Sequence, residues 1–278
     1  MRAKPVDGRH PGWSARDLAE RPYANFWEPA LAPLSARASA AVTRGPVADY
    51  LLPGIERVAE TLLADGPVLE DGYATLADGS VHVAILTDMP GVTPAMVDWW
   101  FGWHSDSPER YKLWHPIAHV HACWKHAPPQ GTAGRARYVG RTSIVDEYIG
   151  SELGRYAIRF VAPESLGFGA NAFADDRKVT AICARAGLAD LPVDAGWLIH
   201  HVRATATGSE MRSRFFIGGR HAGLRGGGRI GRMLSPALRR LVGTGEADAR
   251  NLLVHCAEEM AHLAAFLPAL HAACRDLP

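Results

Sequence analysis

The sequence predicts an α+β protein in which an antiparallel sheet wraps around a long C-terminal helix, the helix-grip arrangement. Between residues 136 and 219, β-rich runs, among them 136–149 and 166–172, alternate with Gly- or Pro-containing turns, and no helix there is long enough to connect parallel strands. An amphipathic run then begins at Glu246 and continues to Pro268 without a breaking residue. A sheet of roughly six strands closed over such a helix leaves a deep cavity between the two.

A smaller N-terminal part is predicted before this domain, over residues 1–88. Residues 1–35 are rich in proline and aromatic residues and predict an ordered arm, and the pattern over 35–64 is helical. Residues 68–88 predict a hairpin around an Asp-Gly turn. The main domain is therefore assigned to residues 89–278.

A helix is also predicted to begin at Thr93, which is a favourable N-cap followed by proline at the first helical position. It carries four closely spaced aromatic residues, which are typical of a core plug. They are Trp99, Trp100, Phe101 and Trp103.

The composition excludes several classes of protein. A formal net charge of +1 argues against nucleic acid or a membrane surface as the main partner. No apolar stretch reaches the length of a membrane span, and the N-terminus lacks the apolar segment of a secretion signal. The four cysteines are scattered without a CxxC spacing, which disfavours a disulfide framework and a thiolate zinc site. We expect a cytoplasmic protein.

His255 and Glu259 are the first candidate metal ligands, because residues four apart lie on neighbouring turns of one helix face. Alone, this pattern is more typical of a solvated face or of a core histidine with a carboxylate partner. Its significance depends on the residues that complete the shell.

The predicted strand over residues 116–124 offers a third ligand. Alternation places His119, His121 and Cys123 on one face of the strand. The other face then carries Val120, Ala122 and Trp124. Of the histidines clustered here, at most one is expected to be a ligand, and His119 is the natural choice.

A carboxylate from the next strand completes the set. Asp146 and Glu147 point to opposite faces, so one of them faces the cavity if this strand is central. A buried carboxylate needs a cation or a metal to offset its desolvation, whereas an exposed strand end needs neither. Two imidazoles and two carboxylates suit zinc, with iron, manganese and cobalt as alternatives.

His200 and His201 are adjacent on a predicted strand, so one of them faces the cavity and the other faces outward. The inward imidazole is either a general acid/base or a hydrogen-bonded sheet residue.

Two further patterns argue against other activities. The glycine-rich residues 226–231 fit GxGxxG but lack the βαβ unit of a dinucleotide site, so they predict a solvated, arginine-rich loop or a flap over the cavity. No GxSxG motif supports a serine hydrolase.

The aromatic run at 99–104, the segment 110–116, His119 and the late His255-xxx-Glu259 together resemble the 2,4-diacetylphloroglucinol hydrolase family, which includes phloretin hydrolase. The resemblance covers most of the chain. It implies a zinc-dependent hydrolase that cleaves the C–C bond between an acyl group and a polyhydroxylated aromatic ring, for example converting 2,4-diacetylphloroglucinol to monoacetylphloroglucinol and acetate. It also implies a Bet v 1-like catalytic domain and a homodimer formed through the N-terminal part.

The resemblance assigns roles to individual residues. The implied zinc ligands are His119, Glu147, His255 and Glu259, with Asp146 as the alternative to Glu147 because the spacing from His119 is slightly short. Glu147 or Glu259 is the implied base. Tyr111 is implied to bind a ring hydroxyl, and His200 or His201 to relay a proton or stabilise the oxyanion.

Two substrate positions depart from the family pattern. Ala122 stands where the family has an asparagine, and Phe215 or Phe216 where it has a second tyrosine. These departures leave the acyl chain and the ring substituents open. A carrier of apolar ligands and a metal-free cyclase or hydratase of aromatic polyketides are the alternative functions, because this fold alone does not decide activity.

Overall fold

A curved antiparallel sheet surrounds the C-terminal helix, as the sequence predicts. The computed structural model describes residues 12–64, 68–175, 177–226 and 242–276, and within them the sheet has nine strands. The strands are β1 (Gly72–Thr75), β2 (Ser80–Pro90), β3 (His119–Trp124), β4 (Thr142–Ile149), β5 (Glu152–Val161), β6 (Val179–Leu188), β7 (Val193–Thr205), β8 (Gly208–Gly218) and β9 (Gly223–Leu224). They hydrogen-bond in the order β1-β2-β8-β7-β6-β5-β4-β3, and β9 pairs with β7.

Seven α-helices accompany the sheet in the described part of the chain. They are α1 (Ala15–Glu20), α2 (Ala36–Arg44), α3 (Val58–Leu63), α4 (Pro94–Trp103), α5 (Pro108–Trp114), α6 (Arg135–Tyr138) and α7 (Glu246–Cys274). Helix α4 begins as predicted, with the Thr93 side chain accepting from the Met96 amide and proline in the first turn. No helix among the described residues is long and apolar enough to cross a bilayer.

The C-terminal helix is longer than expected. We predict an end at Pro268, but α7 continues through this residue to Cys274. Proline removes one backbone donor and crowds the preceding turn. Leu267, Leu270 and Cys274 are buried on both sides of it, so packing against the core outweighs the lost hydrogen bond.

The predicted hairpin between β1 and β2 is confirmed, with Gly79 at φ 78° in the turn and Asp78 accepting from the Ser80 amide. Strand β2 pairs with β8 along its whole length, from Ser80 to Pro90. The sheet therefore begins before residue 89, where we place the start of the main domain.

Two predicted extended runs have another structure. Residues 166–172 were expected to be a strand, but a 3₁₀ turn over Pro163–Leu166 ends at Gly167, whose φ of 85° turns the chain away from the sheet. The first part of the run at 136–149 is helix α6 rather than strand. Most of the glycine motif at 226–231 lies outside the described residues.

The two faces of the sheet pack against different partners. The concave face covers α7 and α4, where Trp100, Phe101 and Trp103 are buried as the core plug that we predict. The convex face is covered by α3 and by the loop that carries Phe168 and Phe173. Candidate ligands that face inward therefore meet the helix rather than solvent.

Candidate active site

Two imidazoles and two carboxylates meet between the concave face and α7. His119 Nε2 lies 3.4 Å from Glu147 Oε2 and 3.5 Å from Glu259 Oε2. His255 Nε2 lies 3.6 and 3.7 Å from the same two oxygens. His119, His255 and Glu259 are buried and offer ligand atoms within 4.8 Å of one another.

Four of the six separations among these ligand atoms can be compared with those around a tetrahedral metal ion. Ligands about 2.0–2.2 Å from a zinc ion at tetrahedral angles are separated by about 3.3–3.6 Å. The four imidazole–carboxylate distances are 3.4, 3.5, 3.6 and 3.7 Å, within about 0.1 Å of that range. Nε2 of the fully buried His119 has no hydrogen-bond partner among the described residues, so it is available as a ligand atom. The chemistry of the donor set is compatible with a zinc ion, and His119, His255 and Glu259 form its most compact group.

The backbone fixes which nitrogen of His119 faces the centre. Its Nδ1–H donates to the Tyr111 carbonyl at 3.0 Å, so the unprotonated Nε2 is free to bind a metal. The imidazole also stacks on the Tyr111 ring at 3.8 Å, with 2° between the planes. The Tyr111 hydroxyl donates to Glu147 Oε2 at 2.5 Å, so one tyrosine orients two members of the cluster.

A β-bulge sets the orientation of His119. His119 pairs with Glu147 and His121 with Asp146, so one residue lies between the paired positions on β3 and none on β4. The extra residue is Val120. Our prediction that His119, His121 and Cys123 share one face is therefore wrong, because the bulge reverses the alternation after His119.

The same pairing selects Glu147 over Asp146. Directly opposed residues of antiparallel strands point to one face, so Glu147 lies with His119, and Asp146 lies with His121 on the other side. Asp146 Oδ1 is 3.5 Å from Arg155 Nε. Asp146 is fully buried but away from the centre.

Crowding perturbs the acid–base properties of the cluster. Burial, with the neighbouring Glu147, raises the pKa of Glu259 to about 8. Burial alone would also raise the pKa of Glu147, but His255 and the Tyr111 hydroxyl outweigh it and lower that pKa. Burial opposes the charged form of His255, yet the carboxylates of Glu147 and Glu259 raise its pKa. Two carboxylates that share the same two imidazoles are stabilised when one of them is protonated or when positive charge lies between them.

His255 lies between two spaces. An interior cavity of about 80 Å³ is mainly apolar and aromatic, with polar groups at His104, Tyr111, Ser143, Glu147 and His200. An open cleft of about 700 Å³ approaches from the other side, lined by Ile117, Arg250, Val254 and Glu258 among others. A ligand in the cavity can thus contact the cluster, and the cleft borders the same histidine.

The structure resolves the histidine pair on β7. His200 lines the interior cavity, and its Nδ1 lies 2.8 Å from Ser213 Oγ. His201 is buried on the convex face, where it lies near Phe168 and Phe173. Our assignment of His201 as a catalytic alternative is therefore not supported, because the sheet separates it from the cavity.

The two phenylalanines predicted to contact substrate also lie on opposite faces of the sheet. Phe215 lines the cavity, whereas Phe216 packs on the convex face against His82. Phe216 is thus an incorrect prediction for substrate binding, because adjacent residues of a strand face opposite sides. Ala122 is fully buried in the core and is not among the residues that line the cavity.

Two histidines near the centre received no role from the sequence. His115 lies parallel to the His255 ring at 4.8 Å, and its Nε2 is 3.3 Å from Glu258 Oε2. His104 borders the interior cavity at the end of α4. Both belong to the histidine-rich stretch between residues 104 and 121, but only the tertiary fold brings them to the cavity.

The fold and the site together define a helix-grip protein with a buried imidazole–carboxylate centre at its cavity. Residues 51–272 match the family model described as DAPG hydrolase PhiG domain. The chain belongs to this family of hydrolases.

Two curated relatives extend over most of the chain. It is 32% identical over 265 residues to 2,4-diacetylphloroglucinol hydrolase of Pseudomonas protegens, covering 91% of this chain and 85% of the relative. It is 30% identical over 268 residues to phloretin hydrolase of Eubacterium ramulus, covering 91% and 90%.

Solved structures share less with this chain. Protein Ms6760 from Mycobacterium smegmatis aligns with a TM-score of 0.37 and 12% identity over 74% of this chain and 99% of that one. Ara h 8.0201 aligns with a TM-score of 0.30 and 11% identity over 64% and 99%.

Proposed function

We propose that this protein is a zinc-dependent hydrolase that cleaves the C–C bond between an acyl group and a polyhydroxylated aromatic ring. The observation that carries the proposal is the cluster of His119, Glu147, His255 and Glu259, whose imidazole–carboxylate distances are compatible with one zinc ion. The names of the two relatives supply the substrate class, an acylphloroglucinol such as 2,4-diacetylphloroglucinol or phloretin. Water is consumed, the acyl group leaves as a carboxylic acid, and the ring carbon gains a hydrogen.

The four cluster residues hold the metal in this scheme. Zinc, when bound there, would supply Lewis acidity for the acyl carbonyl and for the attacking water. Glu147 or Glu259 would act as the base that removes a proton from the attacking water, through a carboxylate oxygen that does not hold the metal. Both carboxylates lie at the edge of the interior cavity, where the acyl carbonyl would be placed.

Tyr111 orients the ring. Because its own hydrogen is donated to Glu147, its oxygen accepts from a ring hydroxyl. Through this contact the ring hydroxyl can pass its proton to Tyr111 while Tyr111 passes its own to Glu147, and the ring takes up a proton on the carbon that bears the acyl group, which gives the keto tautomer. The acyl–ring bond then breaks with its electrons returning to the ring.

His200 faces the same cavity and supports charge on the acyl oxygen or relays a proton. Burial lowers the pKa of His200 to about 3, so the imidazole is neutral at neutral pH and its N–H is a hydrogen-bond donor. Ser213 orients the ring from its Nδ1 side.

Chelation provides the direct test. Purified protein treated with a chelator should lose hydrolysis of 2,4-diacetylphloroglucinol, and added zinc should restore it. Activity that is indifferent to both treatments contradicts the metal-dependent scheme. Released carboxylic acid is the readout, with phloretin and monoacetylphloroglucinol as further substrates.

Metal analysis separates this proposal from a carrier or a metal-free cyclase. Those alternatives require no stoichiometric zinc, and His255→Ala should leave their ligand binding intact. The cytoplasmic location and a homodimer formed through residues 1–88 are further proposals, and the molar mass in solution tests the dimer.

A further inference from the structure

A chain of buried side-chain hydrogen bonds runs from the end of α4 to the wall of the interior cavity. His104 Nδ1 lies 3.0 Å from the Trp100 carbonyl oxygen, and its Nε2 lies 3.0 Å from Ser105 Oγ. Ser105 Oγ is in turn 2.8 Å from Ser143 Oγ on β4. All three side chains are buried, and Ser143 lines the cavity.

The direction of every hydrogen bond in this chain follows from its first member. A carbonyl oxygen only accepts, so Nδ1 of His104 carries the hydrogen and Nε2 of the neutral ring is an acceptor. Ser105 must therefore donate to Nε2, which uses its only hydrogen. Ser143 must then donate to Ser105, so its own hydrogen points away from the cavity.

We propose that Ser143 Oγ is a substrate-positioning group that accepts a hydrogen bond from a ring hydroxyl and offers none in return. The inference rests on the proposed function, and it adds a specificity determinant to it. Ser143 and Glu147 lie on the same face of β4, four residues apart, or about 13 Å between their Cα atoms. Ser143 thus meets the end of the substrate that is remote from the metal centre.

The chemical consequence is selection for a hydrogen-bond donor on the ring. A hydroxyl can donate to Ser143, whereas a fluorine of similar size carries no hydrogen and presents its lone pairs to the serine lone pairs. A phenol with a hydroxyl at that position is accepted, and its fluorinated analogue is rejected.

The test compares kcat/KM for an acylphloroglucinol with kcat/KM for its two analogues in which the hydroxyl ortho or para to the acyl group is replaced by fluorine. Each hydroxyl-to-fluorine ratio is measured in the wild type and in Ser143→Ala. The electronic effect of fluorine on the ring is common to both enzymes and cancels when the two ratios are compared. For one of the two positions, Ser143→Ala should lower the ratio by roughly 3- to 10-fold, the worth of one hydrogen bond.

Ser105→Ala provides a second variant with a different mechanism. It leaves the Ser143 hydroxyl in place but removes the acceptor for its hydrogen, so Ser143 can donate to fluorine. The ratio should fall because kcat/KM for the fluorinated substrate rises. Ser209→Ala is the matched control, because it removes another buried serine hydroxyl that is bound to the Val92 carbonyl, away from the cavity.

Ratios that stay at the wild-type value for both fluorine positions in Ser143→Ala overturn the acceptor role. A wild type that cleaves no acylphloroglucinol contradicts the proposed hydrolysis instead. In that event the hydroxyl-to-fluorine ratio is taken from binding instead. It is then the ratio of the dissociation constants of fluororesorcinol and phloroglucinol, measured by calorimetry in the wild type and the same variants.

Discussion

The Tyr111 carbonyl decides which nitrogen of His119 is available to a metal, and the Tyr111 hydroxyl restrains Glu147. One residue of α5 thus orients ligands on β3 and β4. Such outer-shell contacts typically change metal affinity or activity by about 10–100-fold when removed.

His119→Gln should abolish stoichiometric zinc binding, because it removes an imidazole that lies within 3.5 Å of both carboxylates. We expect zinc content to fall by more than about tenfold, as measured by elemental analysis of purified protein. His121→Gln is the matched control, since the bulge places His121 on the other face. Equal zinc loss in both variants contradicts the assignment.

Tyr111→Phe should lower kcat/KM by about 10–100-fold, because Glu147 loses its hydroxyl partner and the ring hydroxyl loses its acceptor. Tyr138→Phe removes another buried tyrosine hydroxyl, which donates to Asp98 away from the cavity. This control should lower thermal stability while leaving kcat/KM close to the wild-type value. Steady-state kinetics on an acylphloroglucinol measures both variants, and an equal loss of kcat/KM in the two contradicts the role of Tyr111.

On the convex face, a buried ion cluster attaches the N-terminal helical segment to the sheet. Glu70 lies 2.6 Å from Arg212 Nη2 and 2.8 Å from Arg214 Nη2. Arg212 Nη1 also donates to the carbonyls of Leu62 and Ala64 at the end of α3. These contacts satisfy carbonyls that the helix end leaves unpaired.

Arg212→Ala should destabilise the protein by about 3 kcal/mol, because it leaves the Glu70 carboxylate, whose side chain is 16% exposed, with one partner fewer and two carbonyls without a donor. The urea midpoint measures the change. Arg16→Ala, which removes an exposed pair with Glu20, should leave the midpoint within error. A shift in Arg212→Ala no larger than in this control contradicts the role.

The elements themselves were largely predictable, but the orientation of side chains on β3 was not. Periodicity and turn residues identify the helix at Thr93, the hairpin at Gly79 and the C-terminal helix, because local propensity and tertiary packing agree there. The bulge at Val120 has no local signature in the sequence. The choices between Asp146 and Glu147, and between His200 and His201, likewise depend on which face meets α7.

For the whole molecule, buried neutral histidines predict acid sensitivity. On the convex face, burial lowers the pKa of His201 and of His221 to about 4. In the unfolded chain the two imidazoles become protonated near pH 6.5, whereas in the folded protein they stay neutral until about pH 4. Stability is therefore retained above about pH 6.5 and falls as the pH drops towards 4.

His201→Leu should weaken this dependence. Between pH 7 and pH 5 the wild type should lose roughly 2 kcal/mol more stability than the variant, the amount that one histidine with these two pKa values contributes. Urea titrations at both pH values measure it. His126→Leu, at an exposed position, should keep the wild-type pH dependence. Parallel losses in His201→Leu and the wild type contradict the prediction.

The bulge at Val120 also affects how the ligand positions of distant relatives should be aligned. The residues between β3 and β4 supply none of the four cluster side chains, so insertions or deletions there need not move either ligand. A single residue gained or lost inside β3, by contrast, turns the imidazole out of the molecule. Pairing across the two strands, rather than the count of residues along the chain, is therefore the feature by which equivalent centres should be recognised.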